Sequence, residues 1–114
     1  GNASKATIMK FNGTAWENVG TAGFSSGQAD YVSLAITPEN VPYVGYDDVD
    51  SAHKGTVKRF NGTTWETVGS AGFTVSSSPA VLYPSLAIAS DGTPYLAYQK
   101  SSNVKAAVMR YSAN

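Results

Sequence analysis

Apolar and polar positions alternate in short runs set off by turn residues. Residues 5–11 (KATIMKF), 14–19 (TAWENV), 31–37 (YVSLAIT) and 41–47 (VPYVGYD) are each five to eight residues long. They show either period-two alternation or a brief continuous apolar stretch, which predicts strands. The same texts recur at 54–60 (KGTVKRF), 63–68 (TTWETV), 83–89 (YPSLAIA) and 93–99 (TPYLAYQ), and a last strand is predicted over 104–111 (VKAAVMRY). Asn12-Gly13 and Asn61-Gly62 stand between two such runs, where a two-residue hairpin with φ > 0 at both central positions is expected. Pro38-Glu39-Asn40 and Asp91-Gly92 supply the other tight turns. The longer connections are Gly/Ser-rich over residues 20–29, anchored by Phe24, and polar over 48–53.

The repetition is close. Residues 54–73 match residues 5–24 at 13 of 20 positions with an offset of 49, and residues 83–98 repeat 31–46 with an offset of 52. Residues 105–111 begin a third copy. With the repeated strands lettered a (SLAI), b (PYVGY), c (ATIMKF) and d (TAWENVG), the chain reads c-d-a-b-c-d-a-b-c. A four-strand unit of about 50 residues, repeated, is the signature of a propeller or a related array. Strand a, the most apolar, suits the innermost position, and d, beside the longest loops, the outer edge. Strand c has apolar residues on both faces, Ala6 and Ile8 on one, Met9 and Phe11 on the other. A sheet packed between two neighbours requires that. The expected fold is all-β, made of four-stranded antiparallel β-propeller blades; a β-sandwich is the alternative. Residues 1–4 are expected to be a disordered N-terminus or tag remnant, and residues 5–114 about two blades.

From residue 5 to 111 the chain resembles bacterial β-propeller repeats that carry K-A-T-V-M-K-[FY]-N-G-T-x-W-E-x-V-G-x-A-G-F, then S-L-A-I and T-P-Y-V-A-Y. The resemblance implies blades around a central channel, with ring closure that combines strands from both chain ends, and a secreted or cell-surface bacterial setting. It implies no single activity, because propellers host enzymes, lectins and scaffolds alike. The Asn-Gly-Thr-x-Trp hairpin is also similar to the second half of the sialidase Asp-box through Gly62, Thr64 and Trp65, but Phe60 stands where the box has Asp.

Composition narrows the chemistry. Eight basic residues balance eight acidic ones and only 14% of residues are charged, so neither nucleic acid nor an anionic membrane is an expected partner. There is no Cys, which excludes disulfides and thiolate metal sites. Trp16-Glu17 and Trp65-Glu66 occur once per repeat. An indole can stack on a sugar ring and a carboxylate can accept from its hydroxyls, so these four are the candidate carbohydrate-binding residues. The competing role is packing of one unit against the next, which repeat proteins need at a fixed position. Asp47-Asp48-x-Asp50 has carboxylate spacing, but the second copy reads Gln99-Lys100-Ser101, so a solvated loop is expected and no metal. His53, the sole His, is expected at the surface.

No catalytic residue or cofactor is expected, and the chain is read as a non-enzyme. The expected function is a non-catalytic propeller module that closes a ring with copies of itself, as a trimer or tetramer, with glycans as the candidate ligand. The alternatives are a purely structural or engineered propeller fragment with no ligand and, more distantly, a fragment of a propeller hydrolase. In the ring the N-terminal c strand is expected to displace residues 104–114 from their place beside b.

Overall fold

A computed structural model of the chain describes residues 5–51, 53–73, 81–100 and 106–111. The expectations for residues 1–4 and for the first two residues of the last predicted strand, 104 and 105, lie outside these. The described regular structure is all β, apart from one 3-10 turn at Val49–Ser51. A two-stranded sheet holds β1 (Met9–Phe11) and β2 (Trp16–Asn18). A four-stranded sheet runs in the order β3 (Ala29–Ile36), β4 (Pro42–Asp48), β5 (Lys54–Phe60) and β6 (Trp65–Thr67). A three-stranded sheet holds β7 (Val81–Ile88), β8 (Pro94–Lys100) and β9 (Ala106–Arg110). Every pairing is antiparallel.

The strands fall where alternation predicts them, but β2 and β6 keep only three of the six residues predicted for each, and two further departures have identifiable causes. β1 is shorter than its repeat β5 because β5 lies against β4 along its full length, Lys54 to Arg59, whereas β1 pairs only with β2. Ala6 and Ile8 still accept from the Phe24 and Val19 amides at 2.9 and 2.8 Å, so the segment keeps its course without ladder regularity. β3 and β7 begin two residues earlier than predicted, through a bulge. Their registers slip between Asp30 and Ser33 and between Leu82 and Ser85, where Tyr31 and Tyr83 take φ of 55° and 49°.

The Asn-Gly turns differ from expectation by one residue. Asn12 N donates to Ala15 O at 3.0 Å and Asn61 N to Thr64 O at 3.0 Å, so the central pairs are Gly13-Thr14 and Gly62-Thr63. Only the glycines have positive φ, 101° in each. The asparagine side chain is the cause. Asn12 Oδ1 accepts from the amides of Thr14 and Ala15, both at 2.9 Å, and Asn61 Oδ1 does the same for Thr63 and Thr64. Asn therefore acts as a side-chain cap on the loop and keeps ordinary backbone angles itself.

Two apolar clusters join the three sheets. Ile8, Val44 and Tyr46 are buried between the first hairpin and β4, with Val19, Phe24 and Trp65 packed on them. Their repeats Val57, Leu96 and Tyr98, with Tyr43, Val68 and Leu86, form the second cluster. β7 is tied to β3 by Leu86 N donating to Ser33 Oγ at 3.0 Å. Gly45, mid-strand in β4, leaves room for a neighbour: a Cβ there would lie 2.9 Å from Leu96 Cδ1. The face of β3 that carries Leu34 and Ile36 is half exposed. With Ile8, Met9 and Val19 of the hairpin it lines an open cleft of about 800 Å3.

Candidate functional site

Trp65 opens β6 directly after a hairpin loop closed by the Asn61 side chain, and its indole lies against the segment that follows β2. The ring lies parallel to Phe24, 4.4 Å away at 14°, and is tilted against Phe60 at 5.5 Å. Its Nε1–H donates to Val19 O at 2.8 Å. Gly20 makes this approach possible: its φ is 76°, and a Cβ there would stand 2.9 Å from both Phe60 Cε1 and Trp65 Nε1. Glu66 accepts from Arg59 Nε at 2.7 Å and from Asn61 Nδ2 at 3.4 Å. Arg59 first, then Asn61, holds the Glu66 carboxyl below its ordinary range, and Tyr43 and Glu66 in turn keep the guanidinium charged.

Trp16 and Glu17 occupy the same repeat positions in other surroundings. Trp16 is 65% exposed, with Phe11 tilted beside it at 5.7 Å. Glu17 faces Lys10 at 3.9 Å and Asn12 Nδ2 at 3.5 Å. The four candidate residues thus stand on separate hairpins, one docked and one open.

The seat that receives Trp65 also repeats. Val68, Gly69 and Phe73 are the copies of Val19, Gly20 and Phe24, built by the same bonds. Val68 N donates to Val57 O at 2.8 Å and Phe73 N to Gly55 O at 2.9 Å. The Gly72 amide reaches Thr56 Oγ1 at 2.8 Å, as Gly23 reaches Thr7 Oγ1 at 2.8 Å. Gly69 has φ of 74°, and the ring of Tyr111 takes the place against it that Phe60 takes against Gly20. In this second seat there is no indole. An apolar cavity of about 220 Å3 lies there, lined by Val57, Val68, Gly69, Phe73, Leu96 and Tyr111.

The acidic stretch is not the solvated loop that its composition predicts. β4 runs on through Asp47 and Asp48, which are 2% and 1% exposed. Thr56 Oγ1 donates to Asp48 Oδ2 at 2.7 Å, and His53 Nδ1 lies 3.2 Å from Asp47 Oδ1. One carboxylate oxygen each from Asp30 and Asp47 and one nitrogen of His53 fall within 4.8 Å of one another. The three donor atoms have the spacing of a cation site, but His53 Nδ1 already contacts the Asp47 carboxylate directly. The cluster is not a repeat feature either, since Leu82 and Gln99 stand at the copies of Asp30 and Asp47.

Burial raises the Asp47 carboxyl above 3.8, and the His53 contact pulls the other way. A carboxyl whose folded value is raised binds its proton in the fold before it does in the unfolded chain. Stability therefore falls as pH rises from 3.8 through the folded value. Asp47→Asn is expected to raise the urea midpoint at pH 7, with the difference from the parent shrinking towards pH 4. A variant less stable than the parent at pH 7 would place the His53 pairing above the cost of burial.

Tyr31 and Tyr83 escape sequence reasoning. A large side chain in the left-handed region is uncommon, yet both tyrosines adopt it at the two bulges. Their rings meet at 4.9 Å and 57°, and both are exposed. The available signal is their recurrence at an offset of 52 just before S-L-A-I; nothing in residue type announces the backbone angle. No family model, curated protein or solved structure matches the chain.

Proposed function

We propose that the chain is a non-catalytic repeat module that assembles with copies of itself, its incomplete sheets completing one another as four-stranded propeller blades. One observation carries the reading. The two-stranded sheet β1-β2 and the first two strands of the three-stranded sheet β7-β8-β9 are complementary halves of the four-stranded sheet β3-β4-β5-β6. By repeat position β1-β2 equals β5-β6, and β7-β8 equals β3-β4. Joining β7-β8 of one copy to β1-β2 of another gives a second complete sheet per chain. It also covers the apolar faces of Leu34, Ile36 and Met9, which are about half exposed in the single chain, a hazard otherwise. The open cleft beside β3 is the space that such a β7-β8 pair would enter.

β9 holds the edge of β8 in the single chain, from Tyr95↔Arg110 to Gln99↔Ala106. In the assembly it gives way to β1, which arrives joined to its own outer strand. Head-to-tail contacts of this kind close into rings when the rotation fits; three copies giving six blades is the first choice and four giving eight the second. Carbohydrate stacking does not enter this reading. At Trp65 the ring faces Phe24 and the indole N–H donates to Val19 O, which supports packing over ligand stacking at that position. Native mass spectrometry with sedimentation velocity at micromolar concentration is expected to give a discrete trimer or tetramer. A stable, well-folded monomer throughout would end the proposal.

A further inference from the structure

We infer that Trp16 is the anchor by which one copy of the chain binds the next, and that its seat is the Val68–Gly69–Phe73 cavity of that second copy. The inference rests on the self-assembly reading and assigns it a specific contact.

The chain contains its own template for the bound state. Trp65 enters the Val19–Gly20–Phe24 seat by three contacts: an N–H to a carbonyl, a stacked ring, and a close pass over a glycine. The second seat repeats all three receiving elements. Val68 supplies the carbonyl, Phe73 the ring, and Gly69, at φ 74° against 76° for Gly20, the gap. The amide bonds that shape both seats agree within 0.1 Å, as 2.8 and 2.9 Å in each. The sequence holds two tryptophans. Trp65 is bonded to Val19, so of the two only Trp16 is left for the second seat.

The donor side repeats as well. Trp16 follows the same Asn-Gly-Thr loop as Trp65, held by the same pair of amide bonds to the Asn side chain. Phe11 lies tilted beside Trp16 as Phe60 does beside Trp65, at 5.7 and 5.5 Å. The first hairpin therefore presents a preformed wedge of two aromatic rings. Little side-chain freedom remains to be lost on docking, which favours affinity. Tyr111 now fills the part of the second seat that belongs to the Phe of the incoming wedge, and the cavity of about 220 Å3 beside it is the part that belongs to the indole. Displacement of β9 would remove Tyr111 and open both parts together.

The test uses Trp65→Phe, which leaves Trp16 as the sole indole. As concentration rises through the range where native mass spectrometry detects oligomer, Trp16 emission should shift to the blue and its quenching by acrylamide should fall several-fold. In the reciprocal chain, Trp16→Phe, the emission of Trp65 should be blue-shifted at every concentration. Because Trp65→Phe itself weakens a docked contact, the parent chain labelled with 5-fluorotryptophan gives a second measurement without any substitution. One of its two fluorine resonances should move with assembly. Oligomers in which Trp16 stays as quenchable as in the dilute chain, or in which neither fluorine resonance moves, would overturn the Trp16 seat while leaving self-assembly standing. If no oligomer forms at any concentration, self-assembly itself fails and the seat falls with it.

Discussion

Trp65→Ala should lower the free energy of unfolding by about 3 kcal/mol, while Trp16→Ala in the dilute chain should cost about 0.5 kcal/mol or less. The two residues share a repeat position, a preceding loop and a following Glu, so the contrast isolates surroundings from residue type. Removing the Trp65 indole opens a void between Phe24, Phe60 and Gly20. It also takes the indole N–H away from Val19 O, a bond worth about 1 kcal/mol net. The stacked pair with Phe24 adds about 0.5–1.5 kcal/mol beyond its area. Because Trp65 is the main side chain reaching from β6 to the segment after β2, the loss should be felt in the attachment of the first hairpin. Urea denaturation read by far-UV circular dichroism measures the totals. Equal losses at the two positions would mean that the docked geometry of Trp65 does not hold in solution.

The second large effect is expected where the four-stranded and three-stranded sheets interlock. Leu96→Ala should cost about 3 kcal/mol, since Leu96 is 1% exposed and lies in the larger apolar cluster. Gly45→Ala alone should cost about 1–2 kcal/mol, because its new methyl would meet Leu96 Cδ1 at 2.9 Å, with Val57 Cγ2 and Leu86 Cβ at 3.7 and 3.8 Å. Together the two changes should cost less than their sum by about 1 kcal/mol or more, as the added methyl enters the space vacated by the leucine. A double-mutant cycle in urea gives the coupling. Strict additivity would show that the strands are not in contact at this point.

The strands and their repeat order were legible because alternation reports burial on one face and recurrence reports shared surroundings. The hairpins were legible as to place but not as to geometry. Asn-Gly marks a type I′ turn, but an Asn side chain can instead cap the amides of its own loop, and Asn12 and Asn61 do so here. Asp47 and Asp48 were read as solvated from residue type. Their burial depends on β4 continuing two pairs past Tyr46 and on Thr56 and His53 lying opposite or nearby, which no local pattern encodes. The candidate site was legible as a residue class alone. Trp16 and Trp65 share the local text Asn-Gly-Thr-x-Trp-Glu-x-Val-Gly, and what separates them is the presence of a neighbouring unit. That is a property of position along the array, invisible in a window around either residue. The left-handed Tyr31 and Tyr83 are the remaining gap, since glycine or asparagine is the usual marker of such a backbone.

The vacancy at position 45 has an angular meaning too. Leu96 Cδ1 fills the space that a side chain at position 45 would take, so it governs how closely β8 approaches β4, and the proposed closed assembly would repeat that spacing at each such junction around its circumference. The number of copies that could meet without a gap would then be a matter of curvature, sensitive to the bulk of one or two side chains per junction. In the assembly proposed above, hydrogen bonds along the sheet edges would join the copies, and the width of the wedge between their faces would set how many.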